Sequence, residues 1–164
     1  MTFKPTTYLV SFSLFVILFM GLGGYVSYHK ISDHLMAQAF LAATSLEVHV
    51  QTDRQGPELR WEEGVPLQAG VAARIAASNR AQAISIHYSD EPGPRLRGMA
   101  LAANERIEDL RRDKASRYLY VRVLAGSNLK SKETTWLYRY DLQSRSLGRR
   151  ITVNPIMLPA PFKP

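Results

Sequence analysis

The chain has 164 residues, enough for one domain of ordinary size, and its 46% hydrophobic and 21% charged residues are typical of a globular protein. It contains no cysteine, which excludes a disulfide framework, a zinc–thiolate or iron–sulfur site, a thiol nucleophile and covalent haem attachment. The net charge of +7 is uneven, because residues 91–164 carry +8, residues 31–90 carry −3 and residues 1–30 carry +2. A basic C-terminal half indicates either a solvated basic face or an acidic partner surface, including anionic lipid.

The first predicted element is a membrane-spanning helix at residues 8–28, preceded by a short tail at residues 1–7. From Pro5 to Tyr28 the chain has no Asp, Glu, Lys, Arg or His, and about 20 apolar residues of helix cross a bilayer. This length exceeds the apolar core of a signal peptide, and no small-x-small cleavage site follows it, so we predict an uncleaved anchor. Gly23 and Ser27 are four residues apart, a spacing that permits close contact with a second transmembrane helix.

After the span, the sequence predicts a juxtamembrane amphipathic helix at residues 29–50. Its apolar stripe has spacings of three and four residues and consists of Ile31, Leu35, Ala39, Ala42 and Leu46, widened by Met36, Phe40 and Ala43. Residues 46–50 also alternate between apolar and polar side chains, which indicates either a frayed helix end or a first short strand. Residues 52–66 are polar and broken by glycine and proline, so we predict a loop there.

Two further helices are predicted around one strand. Leu67, Val71 and Ile75 are four residues apart and predict a helix that ends near Asn79. The segment 83–88 alternates apolar with polar residues and predicts a strand. The next predicted helix has a stripe at spacings of three and four residues, formed by Leu96, Met99, Ala103, Ile107 and Leu110.

Three alternating segments then predict an antiparallel meander, at residues 117–125, 135–141 and 146–153. The fold class is therefore predicted as α+β, a curved antiparallel sheet of the meander plus one or two strands, with two or three helices on one face. Residues 51–153 form this domain, and residues 154–164 form a proline-rich extended tail. The predicted core consists of Leu119, Val121, Val123, Ile151, Val71, Ile75, Ile107 and Leu110.

The order of these elements resembles the PAS-like extracytoplasmic sensor domains of bacterial histidine kinases and chemoreceptors. The similar stretch runs from Val65 to Leu142 and includes the segment AISIHYSDEP, the predicted helix with Asn104-Glu105-Arg106, and the segment TTWLYRYDL. The resemblance implies a bacterial inner membrane protein. Some of these domains close with a Cys-x-x-Cys-His motif that binds haem, and this motif is absent from the sequence.

The chemistry-bearing residues show no catalytic or metal-binding pattern. The four histidines are scattered, and His29 and His34 are five residues apart, which does not place them on one helical face. Glu105, Glu108 and Asp109 are spaced to pair with neighbouring arginines along a helix rather than to form a general acid–base pair. We therefore expect no cofactor, no metal and no enzymatic activity.

Aromatic and arginine residues are concentrated in the meander. If Tyr118 and Tyr120 share a sheet face with Trp136, Tyr138 and Tyr140, that face is an amphipathic platform of the kind enriched at interfaces. The alternative is that these rings pack as core beneath the helices. The candidate partner-binding residues are Tyr118, Tyr120, Arg122, Trp136, Tyr138, Arg139 and Tyr140, together with the apolar side chains of the tail, Ile156, Met157, Leu158 and Phe162.

Two functional hypotheses follow from these features. The first is a non-enzymatic, single-pass accessory subunit that docks to a larger membrane protein assembly and does not bind nucleic acid. A short N-terminal tail before one span usually leaves the C-terminal domain outside the cytoplasm, here in the periplasm. The alternative is a PAS-like module that senses a ligand in a pocket of a few hundred Å³ and signals to a separate partner.

Overall fold

A long N-terminal helix precedes a domain built from strands. The structure is a computed structural model that describes residues 5–81, 83–91, 97–126 and 134–154. Helix α1 runs from Pro5 to Ala42. The chain divides into two compact units, Met1–Met36 and Ala37–Pro164, so the end of α1 belongs to the second unit.

Helix α1 exposes apolar side chains in every direction. From Val10 to Leu22, the large apolar side chains other than Val16 are 61–73% exposed, although consecutive residues such as Ile17, Leu18 and Phe19 point to different sides of a helix. The helix is long and apolar enough to cross a membrane. A helix that is apolar all round requires an apolar environment, which a bilayer provides.

The second unit contains two antiparallel sheets. One sheet has the strand order β1-β7-β8-β9-β10, with β11 also paired to β9, and the other has the order β2-β3-β4-β5-β6. The strands are β1 Thr44–Ser45, β2 Val48–Asp53, β3 Gly56–Pro66, β4 Ala72–Ser78, β5 Ala83–Tyr88, β6 Arg97–Ala100, β7 Glu105–Arg112, β8 Tyr118–Ala125, β9 Thr134–Asp141, β10 Ser146–Leu147 and β11 Ile151–Val153. We call the sheet containing β8 the C-terminal sheet and the other the N-terminal sheet.

The two sheets pack face to face around one hydrophobic core. The N-terminal sheet contributes Trp61, Ile75 and Ile86, and the C-terminal sheet contributes Leu110 and Val121, among others. The chain crosses between the sheets at Leu46, which is itself buried in this core. The domain is therefore a two-layered arrangement of sheets.

An ion pair also links the two layers. Glu63 lies on the inner face of β3, and its Oε1 accepts hydrogen bonds from Nε and Nη2 of Arg112 on β7, at 3.0 and 2.8 Å. Arg112 also donates to the hydroxyl of Ser116 at 2.9 Å. This pair ties β3 to the end of β7.

The α+β class with an N-terminal helix is confirmed, but α1 is the only α-helix in the described residues. The juxtamembrane helix predicted over residues 29–50 ends at Ala42. Residues 46–50 were open to a frayed helix end or a short strand, and residues 48–50 are strand. The predicted loop at 52–66 is mostly strand β3. The helix predicted to end at Asn79 is instead a short 3₁₀ turn at Gln68–Gly70 followed by strand β4.

The error at β4 has a simple geometric cause. Residues four apart lie on one face of a helix, but they also lie on one face of a strand, because four is a multiple of two. Val71 and Ile75 therefore fit both structures, and Ala73 between them is buried with Ile75. The alanines of β4 favour a helix, yet pairing on both edges with β3 and β5 overrides this preference.

The predicted helix at Leu96–Leu110 fails for a different reason. Its described part contains strands β6 and β7, and β7 has a β-bulge between Ile107 and Asp109. The bulge adds one residue, so Ile107 and Leu110 both face the core although they are three residues apart. A bulged strand thus imitates the spacing of a helix.

The C-terminal meander is largely confirmed. Strands β8 and β9 fall within one residue of the predicted bounds, whereas the third predicted strand, 146–153, is interrupted at Gly148–Arg150. Leu147 pairs with Tyr140 and Ile151 pairs with Leu137, and these two β9 residues lie on opposite faces of the sheet. Leu147 and Ile151 would share a face in an uninterrupted strand, so the interruption moves the following side chains to the other face. A Cβ atom on Gly148 would lie 3.0 Å from the carbonyl oxygen of Arg139, a close approach that favours glycine.

Six of the eight predicted core residues are buried in the space between the sheets. Leu119, Val121, Val123, Ile75, Ile107 and Leu110 lie in the shared core, and Val71 packs partly buried against it. Ile151 is buried on the opposite, outer face of the C-terminal sheet. The predicted tail beyond Asn154 lies outside the described residues.

Candidate functional site

The seven predicted partner-binding residues of the meander lie on two opposite faces of the C-terminal sheet. In the β8–β9 register, Leu119 pairs with Tyr140, Val121 with Tyr138, and Val123 with Trp136. The three aromatic residues of β9 therefore share the inner face with the core residues of β8. Tyr118, Tyr120 and Arg122 share the outer face with Arg139, so the single aromatic platform is not formed.

On the inner face, Tyr138 and Tyr140 are buried core residues, as the alternative interpretation expected. Tyr140 lies near Tyr88 of the N-terminal sheet. Burial raises the pKa of the Tyr88 phenol, and the neighbouring phenol of Tyr140 raises it further. Tyr88 and Tyr140 therefore both belong to the core where the two sheets meet.

Trp136 lies at the margin of the core beneath an arginine. The guanidinium carbon of Arg150 lies 4.3 Å from the centre of the Trp136 ring. Arg150 also donates to the hydroxyl of Tyr138 at 3.3 Å and lies 3.5 Å from Glu105. Arg150 is exposed, so this stacked pair is available from solvent.

On the outer face, one ring is flanked by two arginines. The guanidinium carbons of Arg117 and Arg139 lie 5.0 and 4.9 Å from the centre of the Tyr118 ring. We call these three residues the Tyr118 cluster. Arg117 also pairs with Asp141 at 3.3 Å, whereas Arg139 is exposed above the ring.

Asp141 is a fixed negative charge beside the Tyr118 cluster. Partial burial alone would raise the pKa of its carboxyl group. The backbone amides of Ser144 and Gln143 and the guanidinium of Arg117 outweigh that effect, so the pKa is lowered from its usual value of 3.8. The carboxylate therefore stays charged at neutral pH and holds the turn after β9 together.

Further along the same face, Tyr120 and Arg122 are buried. Nε of Arg122 lies 3.1 Å from Oε2 of Glu108, the residue within the bulge of β7. Nearby on β7, Nε of Arg111 donates to Oδ2 of Asp109 at 2.8 Å. Burial raises the pKa of Tyr120. These groups form a buried polar layer on the outer face.

The end of helix α1 contacts this layer. Phe40 is 0% exposed, and the guanidinium carbon of Arg111 lies 4.6 Å from the centre of its ring. The sequence predicts Phe40 on the apolar stripe of a juxtamembrane helix but does not predict which residue its ring packs against. The contact depends on the antiparallel register that puts Arg111 opposite Tyr120, which only the folded sheet defines.

Three surface grooves are lined by described residues of the two sheets and their turns. The smallest, about 180 Å³, is lined by Leu67, Gln68, Val71, Leu142, Gln143 and Arg145. Grooves of about 440 and 470 Å³ lie along β3–β5 and between the turns near Asn79 and Asn104. All three open to solvent, whereas a ligand pocket usually encloses most of its ligand. The ligand-sensing alternative stays a prediction.

The remaining predicted sites lie on the helix and in the tail. A Cβ atom on Gly23 would have no other atom within 4 Å, and Ser27 is exposed, so this face of α1 is open to a second helix. The tail residues Ile156, Met157, Leu158 and Phe162 lie outside the described residues. Within the described ranges, no three His, Asp or Glu side chains are grouped so as to hold a metal ion.

Comparisons with known proteins identify no relative of this chain. No protein-family model matches it, and no curated protein or solved structure is significantly similar to it.

Proposed function

We propose that this protein is a single-pass, membrane-anchored accessory subunit whose two-sheet domain docks to another membrane protein. The observation that carries the proposal is the exposed, apolar helix α1, joined to a second compact unit. The helix supplies the anchor, and the domain supplies the surface. The proposal places the domain in the periplasm of a bacterium, as the resemblance to PAS-like extracytoplasmic sensor domains implies.

The Tyr118 cluster supports the docking role. Tyrosine and arginine combine apolar area with hydrogen-bonding groups, and both are enriched among residues that dominate binding energy. Arg139 already stacks on a ring and is exposed, so it loses little side-chain entropy when a partner binds. The partly buried Trp136 beneath the exposed Arg150 is a second arginine–aromatic pair.

The positive charge of the domain supports an acidic partner surface. Among the described residues, no carboxylate forms an ion pair with Arg139, in contrast to Arg60 on the other sheet, which lies 3.1 Å from Glu58. A partner carboxylate facing Arg139 would form a bidentate pair without disrupting an existing one. The proposed partner surface is therefore acidic and contains an apolar area that accepts the Tyr118 ring.

The test compares two exposed arginines in the full chain. Arg139→Ala and the control Arg60→Ala are each extracted in a mild detergent, and companion proteins are quantified relative to the bait. We expect a companion with the wild type and with Arg60→Ala, and at least a tenfold loss with Arg139→Ala, which is about 1.4 kcal/mol. Recovery of the wild-type chain alone, or equal retention by both variants, would contradict the proposal.

Orientation is tested separately. Protease added to spheroplasts cleaves the domain if it lies in the periplasm and leaves it intact if it lies in the cytoplasm. Cleavage of the domain while a cytoplasmic marker stays intact is the expected result.

A further inference from the structure

Strand β2 is a regular edge strand whose outer side is free. It pairs with β3 over all six residues, from Val48 to Asp53, without a bulge. Within the described part of the chain, it has no neighbour on its other side. His49, Val50, Gln51 and Thr52 are exposed, so the unpaired backbone groups of this edge face solvent.

The other sheet edges are shorter. Strands β1 and β10 have two residues each, β11 has three, and β6 has four. Short edge strands are one way in which proteins prevent pairing with another chain. Strand β2, with six residues, is longer than each of these edge strands.

The sequence of β2 also lacks most of the usual protective features, and Asp53 at its end is its only carboxylate. It contains no lysine, proline or inward-pointing charge, and Val50 is 44% exposed although it pairs with the buried Leu59. Valine and threonine favour strands. An edge with this composition is suited to accept another strand.

We propose that β2 pairs antiparallel with β2 of a second copy of this chain, on a two-fold axis at Gln51. In this register, His49 lies opposite Asp53 of the second copy, and the two-fold axis repeats the pair. Val50 lies opposite Thr52. The two N-terminal sheets would then form one continuous sheet of ten strands, twice the five in each copy.

The chemistry of β2 favours this register. A histidine ring donates a hydrogen bond to a carboxylate in either protonation state, and opposite polar partners stabilise cross-strand pairs. Asp53 accepts hydrogen bonds from Nη1 and Nη2 of Arg80, at 2.6 and 3.0 Å, yet its side chain is 48% exposed. The backbone amide of Gln55 donates a third hydrogen bond to Asp53, at 2.7 Å. A carboxylate offers about four acceptor positions, so Asp53 retains about one for a partner strand.

A single strand pair is a small interface with a low affinity, and the membrane anchor compensates for this low affinity. Two copies held in one membrane have a high effective concentration, so a weak contact suffices, provided that the proposed membrane anchor is correct. A second copy is always present wherever the chain is made, which favours it over an unrelated strand.

Because the chain has no cysteine, single cysteines test the axis directly. Full-length chains with Gln51→Cys are placed in lipid vesicles at low density and oxidised. Residues directly opposite in an antiparallel pair have Cα atoms about 4.5–5.5 Å apart, which a disulfide bridges. The matched control is Arg54→Cys, exposed in the turn that follows β2. The two Asp53 Cα atoms would already be about 13 Å apart at 3.3 Å per residue, and the Arg54 residues lie beyond them, too far apart for a disulfide.

We expect Gln51→Cys to form a disulfide dimer at least tenfold faster than Arg54→Cys. Equal rates would mean random collision, and no dimer with Gln51→Cys would mean that the axis is absent; either result overturns the proposal. A chain that does not float with the vesicles would instead contradict the membrane anchor, so the two failures are distinguishable.

A second measurement uses chains labelled at Gln143→Cys, an exposed turn position outside β2 and the Tyr118 cluster. Energy transfer between labelled copies should be lost when Gln51→Lys places two lysines opposite each other, and kept with Gln51→Asn. Gln51 is exposed, so neither substitution disturbs the core. Energy transfer that persists with Gln51→Lys would assign the association to another surface, such as α1, and overturn the proposal.

Discussion

The contact between Phe40 and the C-terminal sheet should stabilise the domain strongly. Phe40→Ala removes a ring that is 0% exposed, and truncating a buried phenylalanine costs about 3–5 kcal/mol. It also removes the stacking of Arg111, whose guanidinium carbon lies 4.6 Å from the centre of that ring. Such a cation–π contact contributes about 0.5–2 kcal/mol, which is already included in the cost of losing the ring. Because whole domains are stable by about 5–15 kcal/mol, the loss is a large fraction of the total.

The assay is unfolding of the full chain in a mild detergent by denaturant. The fluorescence of Trp61 reports unfolding, since this side chain is 1% exposed in the core between the sheets. The control is Leu41→Ala, one residue further along the same helix, where the side chain is 46% exposed. We expect a change of less than about 1 kcal/mol for the control, because an exposed site contributes little.

An equal, small change for both variants would refute the reasoning. It would mean that Phe40 does not pack on the folded sheet, and that the end of α1 is independent of the domain. A large change for Phe40→Ala alone would show that the helix end is part of the domain's fold.

Three further predictions concern the helix, the interrupted strand and the turn after β9. Phe15→Arg places a charge near the centre of the span, which costs about 2.5–3.5 kcal/mol on insertion, and should reduce the fraction of chain that resists alkaline extraction from membranes. Gly148→Val should lower the free energy of unfolding by about 1–3 kcal/mol, because a Cβ atom there meets the carbonyl oxygen of Arg139 at 3.0 Å. Asp141 has a lowered pKa in the folded state, so its contribution to stability is present above its usual pKa of 3.8 and is lost as the pH falls below it. Asp141→Asn should therefore reduce the dependence of stability on pH between about 5 and 2, measured by denaturant unfolding at each pH.

Each of these has a result that would count against it. Undiminished extraction resistance of Phe15→Arg would place that residue outside the bilayer. Gly64→Ala is the control for Gly148, since no atom lies within 4 Å of its Cβ position, and equal destabilisation of both would remove the steric argument. An unchanged acid profile in Asp141→Asn would mean that other carboxylates govern acid unfolding.

The sequence was sufficient for elements whose pattern has one interpretation. The uncharged run from Pro5 to Tyr28 predicts one long apolar helix, and α1 agrees with it. Strands β5, β8 and β9 have side chains that the sequence assigns to two alternating sets, and the predicted bounds of each strand lie within one residue of the observed ones. Burial of Val121 followed from the same alternation, whereas Ile107 was predicted as core on a helical stripe and is buried in a strand.

The tertiary structure decided whatever the local pattern left open. The spacing of four at Val71 and Ile75 suits both helix and strand, and pairing of β4 with two neighbours selected the strand. The bulge in β7 gave Ile107 and Leu110 a helical spacing within a strand. No local rule predicts either outcome, because each depends on hydrogen bonds to residues distant in the sequence.

The candidate site likewise has features that the sequence predicts and features that only the folded sheet decides. The sequence identified the aromatic and arginine residues of the meander as important, because such residues concentrate at cores and interfaces alike. Which of them are core and which are exposed depends on the register of β8 with β9, where Val121 lies opposite Tyr138 and Tyr120 opposite Arg139. Because side chains alternate across a sheet, that register places Tyr138 between the two sheets and leaves Arg139 in solvent, where it can meet a partner.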